Sequence, residues 1–466
     1  MTSPSDNDGE GEPKVRRKRA PEETRAPRQR VLILVPVWKR QVRVGEKTAP
    51  FPQVHTPENR LAEAIGLCNA IDLNIIDALI VPLSEPRPST LLGKGKVEEL
   101  TALVTEKDIG LIVVDHIVTP VQQRNLEKTW GAKVIDRTGL ILEIFGSRAR
   151  TKEGVLQVEL AHLSYQKGRL VRAWTHLERQ RGGGGFLGGP GEAQIELDRR
   201  MLQDRIDAIK GDLKEVVKTR DLHRKGRRKV PYPVVAIVGY TNAGKSTLFN
   251  RVTGAGVLAM DQVFATLDPT MREVKLPSAR KIILSDTVGF ISDLPTMLVA
   301  AFRATLEEVI EADLILHVRD IAHEESETQA RDVEKVLGDL GIDTLPADNH
   351  ILEVWNKADL LSHERASELQ HEINRDERPP VLVSAKTGEG VAALLDAIDV
   401  RLGKADEILD LSIPGHEGAL IAWLYENTDV MSRADGDDGA LHMRVRLASE
   451  KKDRVLARLR KASVRV

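Results

Sequence analysis

The feature that most constrains this chain is the stretch GYTNAGKS at residues 239–246. Gly239, Gly244, Lys245 and Ser246 match the phosphate-binding pattern G-x-x-x-x-G-K-[ST], which here follows the apolar run PVVAIV and opens a helix-like stretch. Glycines let a backbone wrap closely around phosphate oxygens with its N–H groups pointing inward. The motif therefore predicts a strand, a phosphate loop and a helix, with Lys245 at the β and γ phosphates and Ser246 on Mg²⁺.

Three further motifs follow in the order expected of a nucleotide site. KIILSDTVG places Asp286 and Gly289 at a strand end, where Asp286 can meet Mg²⁺ through water and the Gly289 N–H can sense the γ-phosphate. HILEVWNKAD ends another strand with an asparagine, a lysine and Asp359. A carboxylate at Asp359 can accept both donors of guanine, whereas adenine offers no such pair. PPVLVSAKTG then resembles the loop that closes over the guanine O6, so the sequence predicts GTP binding.

The segment DQVFATLDPT lies between the phosphate loop and DTVGF, where GTPases place the threonine that completes Mg²⁺ coordination. Thr266 is the first candidate and Thr270 the second. Residues 270–287 are expected to form a hairpin between the two switch segments. The predicted nucleotide-binding residues are Gly239, Tyr240, Thr241, Asn242, Ala243, Gly244, Lys245, Ser246, Phe264, Ala265, Thr266, Leu267, Asp268, Asp286, Thr287, Val288, Gly289, Asn356, Lys357, Ala358, Asp359, Ser384, Ala385 and Lys386.

The densest glycine cluster, in RQRGGGGFLGGPGEAQIELDRR at residues 179–200, is a poor phosphate loop. No Lys-Ser or Lys-Thr follows it, and a helix pattern precedes it. Leucines before it and apolar residues after it alternate in steps of four and three, which makes a narrow apolar seam on each side. The pattern predicts two long helices in an antiparallel hairpin with the glycines at the tip.

The hairpin region is basic although the whole chain has a formal charge of −2. Residues 151–229 carry 18 Lys and Arg against 11 Asp and Glu. Such a segment is what a phosphate-backbone partner selects, and a solvated helix with interspersed ion pairs explains it equally well. A second basic cluster at 219–233 allows the same two interpretations, contact with RNA or a solvated hinge.

These patterns predict an α/β chain in which an α/β sheet domain and a long antiparallel helical hairpin precede a P-loop GTPase domain and a small α/β C-terminal domain follows it. The predicted segments are a disordered tail at 1–30, an N-terminal α/β domain at 31–150, the hairpin at 151–229, the GTPase domain at 230–405 and the C-terminal domain at 406–466. Within the last, SRADGDDGA is expected to be a loop. GKGK at 93–96 is only a weak second nucleotide motif, because it lacks the spaced glycine and the Ser or Thr.

Composition indicates a soluble cytoplasmic protein with no stable membrane insertion. No apolar run approaches the roughly 20 residues that a membrane span needs, and the N-terminus has no apolar core for a signal peptide. Cys68 stands alone, so it cannot form an internal disulfide, and we expect it to be a small buried apolar residue.

The motifs GYTNAGKS, FATLD, DTVGF, NKAD and SAK together resemble the HflX family of translation-associated GTPases. LLGKGKVEEL, VIDRTGLILEIFGSRARTKEGVLQVELAHLSY and GGGGFLGGPGEAQIELDRR resemble that family's N-terminal signatures, so the similarity runs from about 31 to 405. The resemblance implies a GTPase that binds the large ribosomal subunit and separates stalled or idle ribosomes into subunits under stress. It also implies that the hairpin tip touches ribosomal RNA, and we expect the protein to be a monomer.

At this tip, arginines could contact phosphates and a phenylalanine could stack on an unpaired base. The candidates for RNA contact are Arg179, Arg181, Phe186, Arg199 and Arg200. An exposed arginine is more often solvated than bound, and Phe186 could instead fold back to anchor the loop.

The residue after Gly289 raises a question about hydrolysis. Many switch GTPases place a glutamine there to orient the attacking water, but this chain has Phe290. We therefore expect slow hydrolysis by the free protein and stimulation by ribosomes. Asn242 resembles the asparagine of GTPases that use K⁺ in place of an arginine finger, which gives a hypothesis of K⁺ dependence. The predicted catalytic residues are Lys245, Thr266, Gly289 and Asn242, and the predicted metal ligands are Ser246 and Thr266.

Two other classes of function stay open. One is a GTPase that acts in tRNA modification or ribosomal subunit assembly, and a requirement for a partner enzyme would favour it. The other is an RNA-binding scaffold with an inactive GTPase fold, against which the intact Lys245, Ser246, Thr266 and Asp286 argue.

Overall fold

The computed structural model describes residues 29–38, 54–180, 190–227, 232–254, 263–264, 269–295, 298, 303–342, 350–376, 378–403, 406–414, 416–436, 440–448, 455–460, 462 and 464. Several predicted features lie outside these residues: the tail at 1–28, Arg181 and Phe186 at the hairpin tip, and the switch residues Ala265, Thr266, Leu267 and Asp268. The side chain of Arg179 also lies outside the description, although its backbone is helical.

The N-terminal segment forms a parallel sheet with crossover helices, which its alternating apolar runs predict. Its strands are β1 (Arg30–Trp38), β2 (Asn74–Leu83), β3 (Leu111–Val114) and β4 (Lys133–Asp136), and its helices are α1 (Pro57–Asn69), α2 (Lys94–Glu106), α3 (Pro120–Trp130) and α4 (Arg137–Arg148). The strand order is β2-β1-β3-β4 with every pair parallel. β1 is central and fully buried at 31–35, as a strand covered on both faces should be. Cys68 in α1 is buried in this core.

Two long helices follow, α5 (Lys152–Gln180) and α6 (Pro190–Arg227). Their lengths are 29 and 38 residues, so α6 alone spans about 57 Å at 1.5 Å per residue. The helices contact each other, and Arg205 on α6 donates to Glu159 on α5 at 2.7 Å. Ile206 and Ile209 of the predicted seam are buried. Among the α5 residues whose side chains the structure describes, Val158 and Ala161 are buried, while the seam residues Leu156, Leu160, Leu163 and Leu170 are half-buried.

The next segment is a six-stranded sheet that carries the phosphate-binding motif. Its strands are β5 (Val234–Gly239), β6 (Thr270–Lys275), β7 (Lys281–Asp286), β8 (Leu314–Asp320), β9 (Ile351–Asn356) and β10 (Val381–Leu382), and its helices are α7 (Lys245–Thr253), α8 (Arg303–Ile310), α9 (Ser326–Asp339), α10 (His363–Ile373) and α11 (Val391–Gly403). The order is β10-β9-β8-β5-β7-β6. Only β6 is antiparallel, which confirms the hairpin predicted at 270–287.

The C-terminal segment contains β11 (Asp406–Pro414), α12 (Gly418–Asn427), β12 (Asp429–Asp435) and β13 (Ala440–Ala448), with the antiparallel order β11-β13-β12. The prediction of a loop over SRADGDDGA was wrong for residues 432–435, which belong to β12. Pairing with β13 supplies the hydrogen bonds that this polar, low-propensity stretch needs, and tertiary context commonly overrides strand propensity. Arg446 of β13 donates to Ser278 in the β6–β7 turn, which joins the two domains.

The fold is α/β, and it brings the predicted motifs to one edge. The carboxyl ends of β5, β7 and β9 and the loop after β10 meet there, because parallel strands all end at the same side of a sheet. One continuous apolar cluster includes residues from the N-terminal sheet and from the nucleotide-binding sheet. Within the described ranges, no helix is long and apolar enough to cross a bilayer.

Candidate nucleotide site

The phosphate loop takes a backbone path that requires its glycines. Gly239 has φ +152°, and a Cβ there would lie 2.1 Å from the carbonyl oxygen of Val318. Gly244 has φ +92°, and a Cβ there would lie 2.2 Å from Nδ2 of Asn356. Asn242 has φ +60°, a left-handed conformation that asparagine tolerates better than most residues. The loop therefore lies close to β8 and β9, and these two positions have no room for a side chain.

Lys245 begins α7 and is the buried cation of the loop, with 6% of its surface exposed. Its Nζ donates to the carbonyl oxygen of Tyr240 at 2.6 Å. Burial lowers the pKa of Lys245 to about 8, against an opposing effect of the Asp286 charge. An ammonium held in a desolvated loop interacts strongly with added negative charge. This geometry suits a lysine that neutralises phosphate oxygens.

Two oxygen groups meet next to that lysine. Ser246 Oγ donates to Oδ2 of Asp286 at 2.7 Å, and Asp286 is fully buried at the end of β7. Hydroxyl and carboxylate oxygens are the hard ligands that Mg²⁺ prefers. Thr270, the second threonine candidate, starts β6 directly opposite Asp286 in the strand register. The described residues therefore fit a magnesium site, while the first candidate, Thr266, lies outside them.

The segment after β7 is fixed against the phosphate loop by its backbone. The Phe290 N–H donates to Gly239 O at 3.1 Å, and the Thr241 N–H donates to Phe290 O at 2.7 Å. Gly289 lies so close that a Cβ would sit 2.9 Å from Nζ of Lys245. The Phe290 side chain is 1% exposed and belongs to the apolar core. Phe290 therefore has a packing role and offers no polar group for orienting water.

The base end of the site is organised around Asn356, which is 1% exposed. Its Nδ2 donates to the carbonyl oxygen of Ala243 in the phosphate loop at 2.8 Å, and its Oδ1 accepts from the N–H of Ala385 at 2.9 Å. Ser384 donates to Oδ1 of Asp359 at 2.6 Å. A few direct hydrogen bonds thus join the phosphate loop to two motifs that lie more than 100 residues later in the sequence.

Two cations support this end. Lys357, with φ +67°, donates to Asp320 at the end of β8 at 2.6 Å. Arg251 on α7 donates through Nε to Ala385 O at 3.1 Å and through Nη2 to Lys386 O. Sequence reasoning missed Arg251. Its position in the helix is not part of the motif, and a single sequence gives no signal that would separate it from other surface arginines.

A second missed group belongs to the N-terminal domain. Glu63 of α1 accepts a hydrogen bond from the Tyr240 hydroxyl, and that hydroxyl accepts from the Ser292 N–H at 2.7 Å. Arg137 at the start of α4 donates to Ser292 O at 2.8 Å and also pairs with Glu63. Neither Glu63 nor Arg137 belongs to a sequence motif. The one indirect signal was Asp115, which follows the apolar strand β3 and accepts a hydrogen bond from Arg137.

The structure also places Phe264 of the predicted switch segment and two of the arginines predicted to contact RNA. Phe264 is 2% exposed and its ring meets Phe145 of α4 at 4.6 Å between centroids, in an edge-to-face arrangement. Only its backbone is thus left for contact with a nucleotide. Arg199 and Arg200 are exposed on α6. Among the predicted RNA-contacting residues, these two are the ones whose side chains the structure describes.

Family models match most of the chain. "GTP-binding GTPase N-terminal" matches residues 58–146, "GTP-binding GTPase Middle Region" matches 148–227, "50S ribosome-binding GTPase" matches 234–357 and "HflX C-terminal domain" matches 370–464. The second range coincides with the helical hairpin, and the third holds the phosphate loop and the NKAD asparagine.

Curated relatives extend over nearly the same length. A "GTPase HflX" of Magnetococcus marinus is 50% identical over 81% of this chain and 86% of its own. One from Escherichia coli is 43% identical over 83% of this chain and 89% of its own. Another, from Caldanaerobacter subterraneus, is 45% identical over 78% of this chain and 82% of its own.

Proposed function

The chain belongs to the HflX family of GTPases, and from this premise we propose that it binds the large ribosomal subunit and splits stalled or idle ribosomes into subunits under stress. The protein is an enzyme that hydrolyses GTP to GDP and phosphate. The observation that carries the ribosomal part is the hairpin of α5 and α6. It combines great length, a basic composition and exposed arginines toward the tip.

In the proposed site, residues 239–246 surround the phosphates with backbone N–H groups and Lys245 neutralises their oxygens. Asp359 accepts from guanine N1–H and its exocyclic amine, and the loop of Ser384, Ala385 and Lys386 closes over O6. Asn356 supports both ends by bonding to the phosphate loop and to the base loop. We propose these roles from the motif chemistry and from the convergence of the residues at one sheet edge.

Ser246 and Asp286 would hold Mg²⁺, Asp286 through water, and Thr266 is the proposed further ligand. When bound, the ion would neutralise charge that develops on the phosphate oxygens. The chain's own part is to hold these oxygens in place, and the hydrogen bond between the half-buried Ser246 and the buried Asp286 does this before nucleotide arrives.

Hydrolysis requires a group that orients the attacking water, and Phe290 stands buried where many GTPases have glutamine. We propose that the ribosome supplies or positions the missing element. Asn242 supports a second hypothesis, that K⁺ takes the place of an arginine finger. Hydrolysis rates in potassium and sodium buffers at equal ionic strength test it, and equal rates would remove it.

Sedimentation tests the proposed splitting. Intact ribosomes are incubated with the protein and a non-hydrolysable GTP analogue, then separated on a sucrose gradient. We expect subunits to separate, with the protein on the large subunit. Co-migration with assembled ribosomes would contradict splitting and would indicate a factor that binds without dissociating them. Accumulation of immature subunits in cells that lack the protein would favour a role in assembly.

A pair of charge-reversal substitutions tests whether the ribosome contacts the tip of the helical hairpin. Arg199→Glu with Arg200→Glu removes two exposed positive charges toward the tip, because both lie within ten residues of the start of α6. We expect weaker ribosome binding and a shallower dependence of affinity on salt. Lys210→Glu with Lys214→Glu makes the same charge change on exposed positions farther along the helix. Equal losses in both pairs would contradict a specific role for the tip.

A further inference from the structure

One hydroxyl joins the phosphate loop, the switch segment and the N-terminal domain. The Tyr240 hydroxyl donates to Oε2 of Glu63 and accepts from the Ser292 N–H at 2.7 Å. Ser292 Oγ lies 3.0 Å from the same carboxylate oxygen. Tyr240 is in the phosphate loop, and Ser292 comes three residues after the switch glycine Gly289. Glu63 therefore holds both nucleotide-sensing segments from outside their own domain.

A buried arginine completes the contact. Arg137 donates to Ser292 O at 2.8 Å and to Ser292 Oγ at 2.9 Å, pairs with Glu63, and donates to Asp115 at 2.5 Å. Asp115 also accepts from Arg60 at 2.9 Å. Arg137 is 5% exposed and Asp115 is 1% exposed. Removing one partner from such a buried group is costly because it leaves a charge without compensation.

The pKa shifts of Tyr240 and Asp115 are consistent with the hydrogen bonds of this interdomain network. Burial, together with the Glu63 charge, raises the pKa of Tyr240 well above its usual value, so the phenol keeps the proton that it donates. Burial alone would raise the pKa of Asp115, but the Arg137 and Arg60 charges outweigh it and hold the pKa below its usual value. The network is thus a set of fixed donors and acceptors at neutral pH.

The other switch segment meets the same domain. Phe264, just before the segment at 265–268, packs edge-to-face on Phe145 and has φ +58°, a conformation that is rare for an aromatic residue. Val263 touches α1 so closely that a Cβ at Gly66 would lie 3.1 Å from it. Described residues of both switch segments, 263–264 and 292, therefore contact the N-terminal domain.

We propose that Glu63 and Arg137 are positioning residues that couple the N-terminal domain to the nucleotide state. They hold Ser292 so that Gly289 lies against Lys245 and Thr241, where a Cβ at Gly289 would be 2.9 Å from Nζ of Lys245. A γ-phosphate must enter between the lysine and the switch glycine, because both groups contact it in P-loop GTPases. Binding of GTP therefore displaces the segment that Glu63 and Arg137 hold, and these contacts lower the affinity for GTP relative to GDP.

The coupling is tested by comparing affinities for GDP and for a non-hydrolysable GTP analogue. Glu63→Gln keeps the shape of the side chain and removes its charge, and Tyr240→Phe removes only the hydroxyl. We expect both variants to shift the ratio of the two dissociation constants toward the analogue by about fivefold or more, the lower end of usual coupling between sites. Lys107→Gln is the matched control, because it breaks an ion pair with Asp77 in the same domain away from the network.

A measurement on the unaltered protein covers the case in which a variant does not fold. Binding is reciprocal, so the analogue must loosen the contact if the contact opposes it. We expect faster hydrogen exchange in α1 and at the start of α4 with the analogue than with GDP. Unchanged affinity ratios in folded variants, or equal exchange in both nucleotide states, would overturn the coupling. Failure of the unaltered protein to bind GDP would instead contradict the nucleotide site itself.

Discussion

The two ends of the nucleotide site are built differently. At the base end, Asn356, Ser384 and Asp359 bond to one another's segments within a single sheet, and Arg251 of the same domain fixes the loop from behind. At the phosphate end, Tyr240 bonds to a residue of another domain. Under the proposed roles, guanine is therefore recognised within one domain, whereas the response to the γ-phosphate depends on the contact between the phosphate loop and the N-terminal domain.

The two ends of the nucleotide site also differ in how many charged groups they bury. The base end relies mainly on hydrogen bonds between amide, hydroxyl and backbone groups. The phosphate end buries the charged Lys245 and Asp286, and its Tyr240 bonds to the carboxylate of Glu63 in the other domain. Buried charges are sensitive to small displacements because the local dielectric is low. The phosphate end is therefore suited to respond to the nucleotide state, and the base end is suited to bind the same base in every state.

The largest effect is expected from Asn356→Ala, because this residue is the one direct side-chain link described between the two ends. Its loss leaves the Ala243 carbonyl and the Ala385 N–H without their partner, at about 1–3 kcal/mol each. We expect GDP and GTP affinity to fall together by about 100-fold in equilibrium titration. Asn374→Ala, at the exposed residue that directly follows α10, is the control. A loss confined to GTP would contradict the division between the ends.

Asp359→Asn should change which base is bound. The amide cannot accept both donors of guanine, so we expect GTP affinity to fall by about 10- to 100-fold. Xanthine carries a carbonyl at the position of the guanine amine, and the new amide can donate to it, so xanthosine triphosphate should bind better than GTP. Competition titration measures both. Asp339→Asn at an exposed position should change neither, and retained guanine preference in Asp359→Asn would refute the assigned role.

Arg251→Ala should weaken GTP binding by about fivefold, since it removes two hydrogen bonds from a partly solvated arginine. In the proposed binding mode this loop closes over O6. The substitution should therefore not change the affinity for the triphosphate of 2-aminopurine riboside, which lacks both O6 and the N1–H and binds more weakly from the start. Arg365→Ala removes an exposed arginine on α10 as a control. An equal loss for both nucleotides would show that Arg251 supports the site generally rather than the reading of O6.

The smallest effect concerns His55, a second link from the N-terminal domain to α9. Its two ring nitrogens lie 2.7 Å from Glu325 and 2.7 Å from Asp332. Burial lowers the pKa of His55, but the hydrogen bonds and charges of Asp332 and Glu325 outweigh it and raise the pKa to about 9. Because the folded value lies above the ordinary value of 6.5, the stabilisation is complete below about pH 6.5 and disappears as the pH rises through about 9.

Melting temperatures of the wild-type protein and His55→Gln from pH 6 to 10 measure this link. We expect the wild type to melt higher at pH 6 and the two curves to converge above pH 9. Curves that stay parallel over the whole range would show that His55 carries no charge in the interface.

Several parts of the molecule could be predicted because their signals are local. The phosphate loop needs left-handed or crowded backbone at fixed positions, and glycine and asparagine mark them in the sequence. The two long helices reveal themselves through the spacing of apolar residues. β12 escaped prediction because its polar residues acquire strand structure only from β13.

The sequence by itself determined the α/β class, the long helices and the family, and it predicted the guanine nucleotide, since short motifs encode backbone shape and hydrogen-bonding groups directly. Only the tertiary structure decided that Glu63, Arg137 and Phe145 meet the phosphate end. Glu63 and Tyr240 are 177 residues apart, and neither belongs to a pattern that points to the other. Such contacts depend on how two sheets pack together, and periodicity along one chain specifies which faces are apolar without specifying which faces meet.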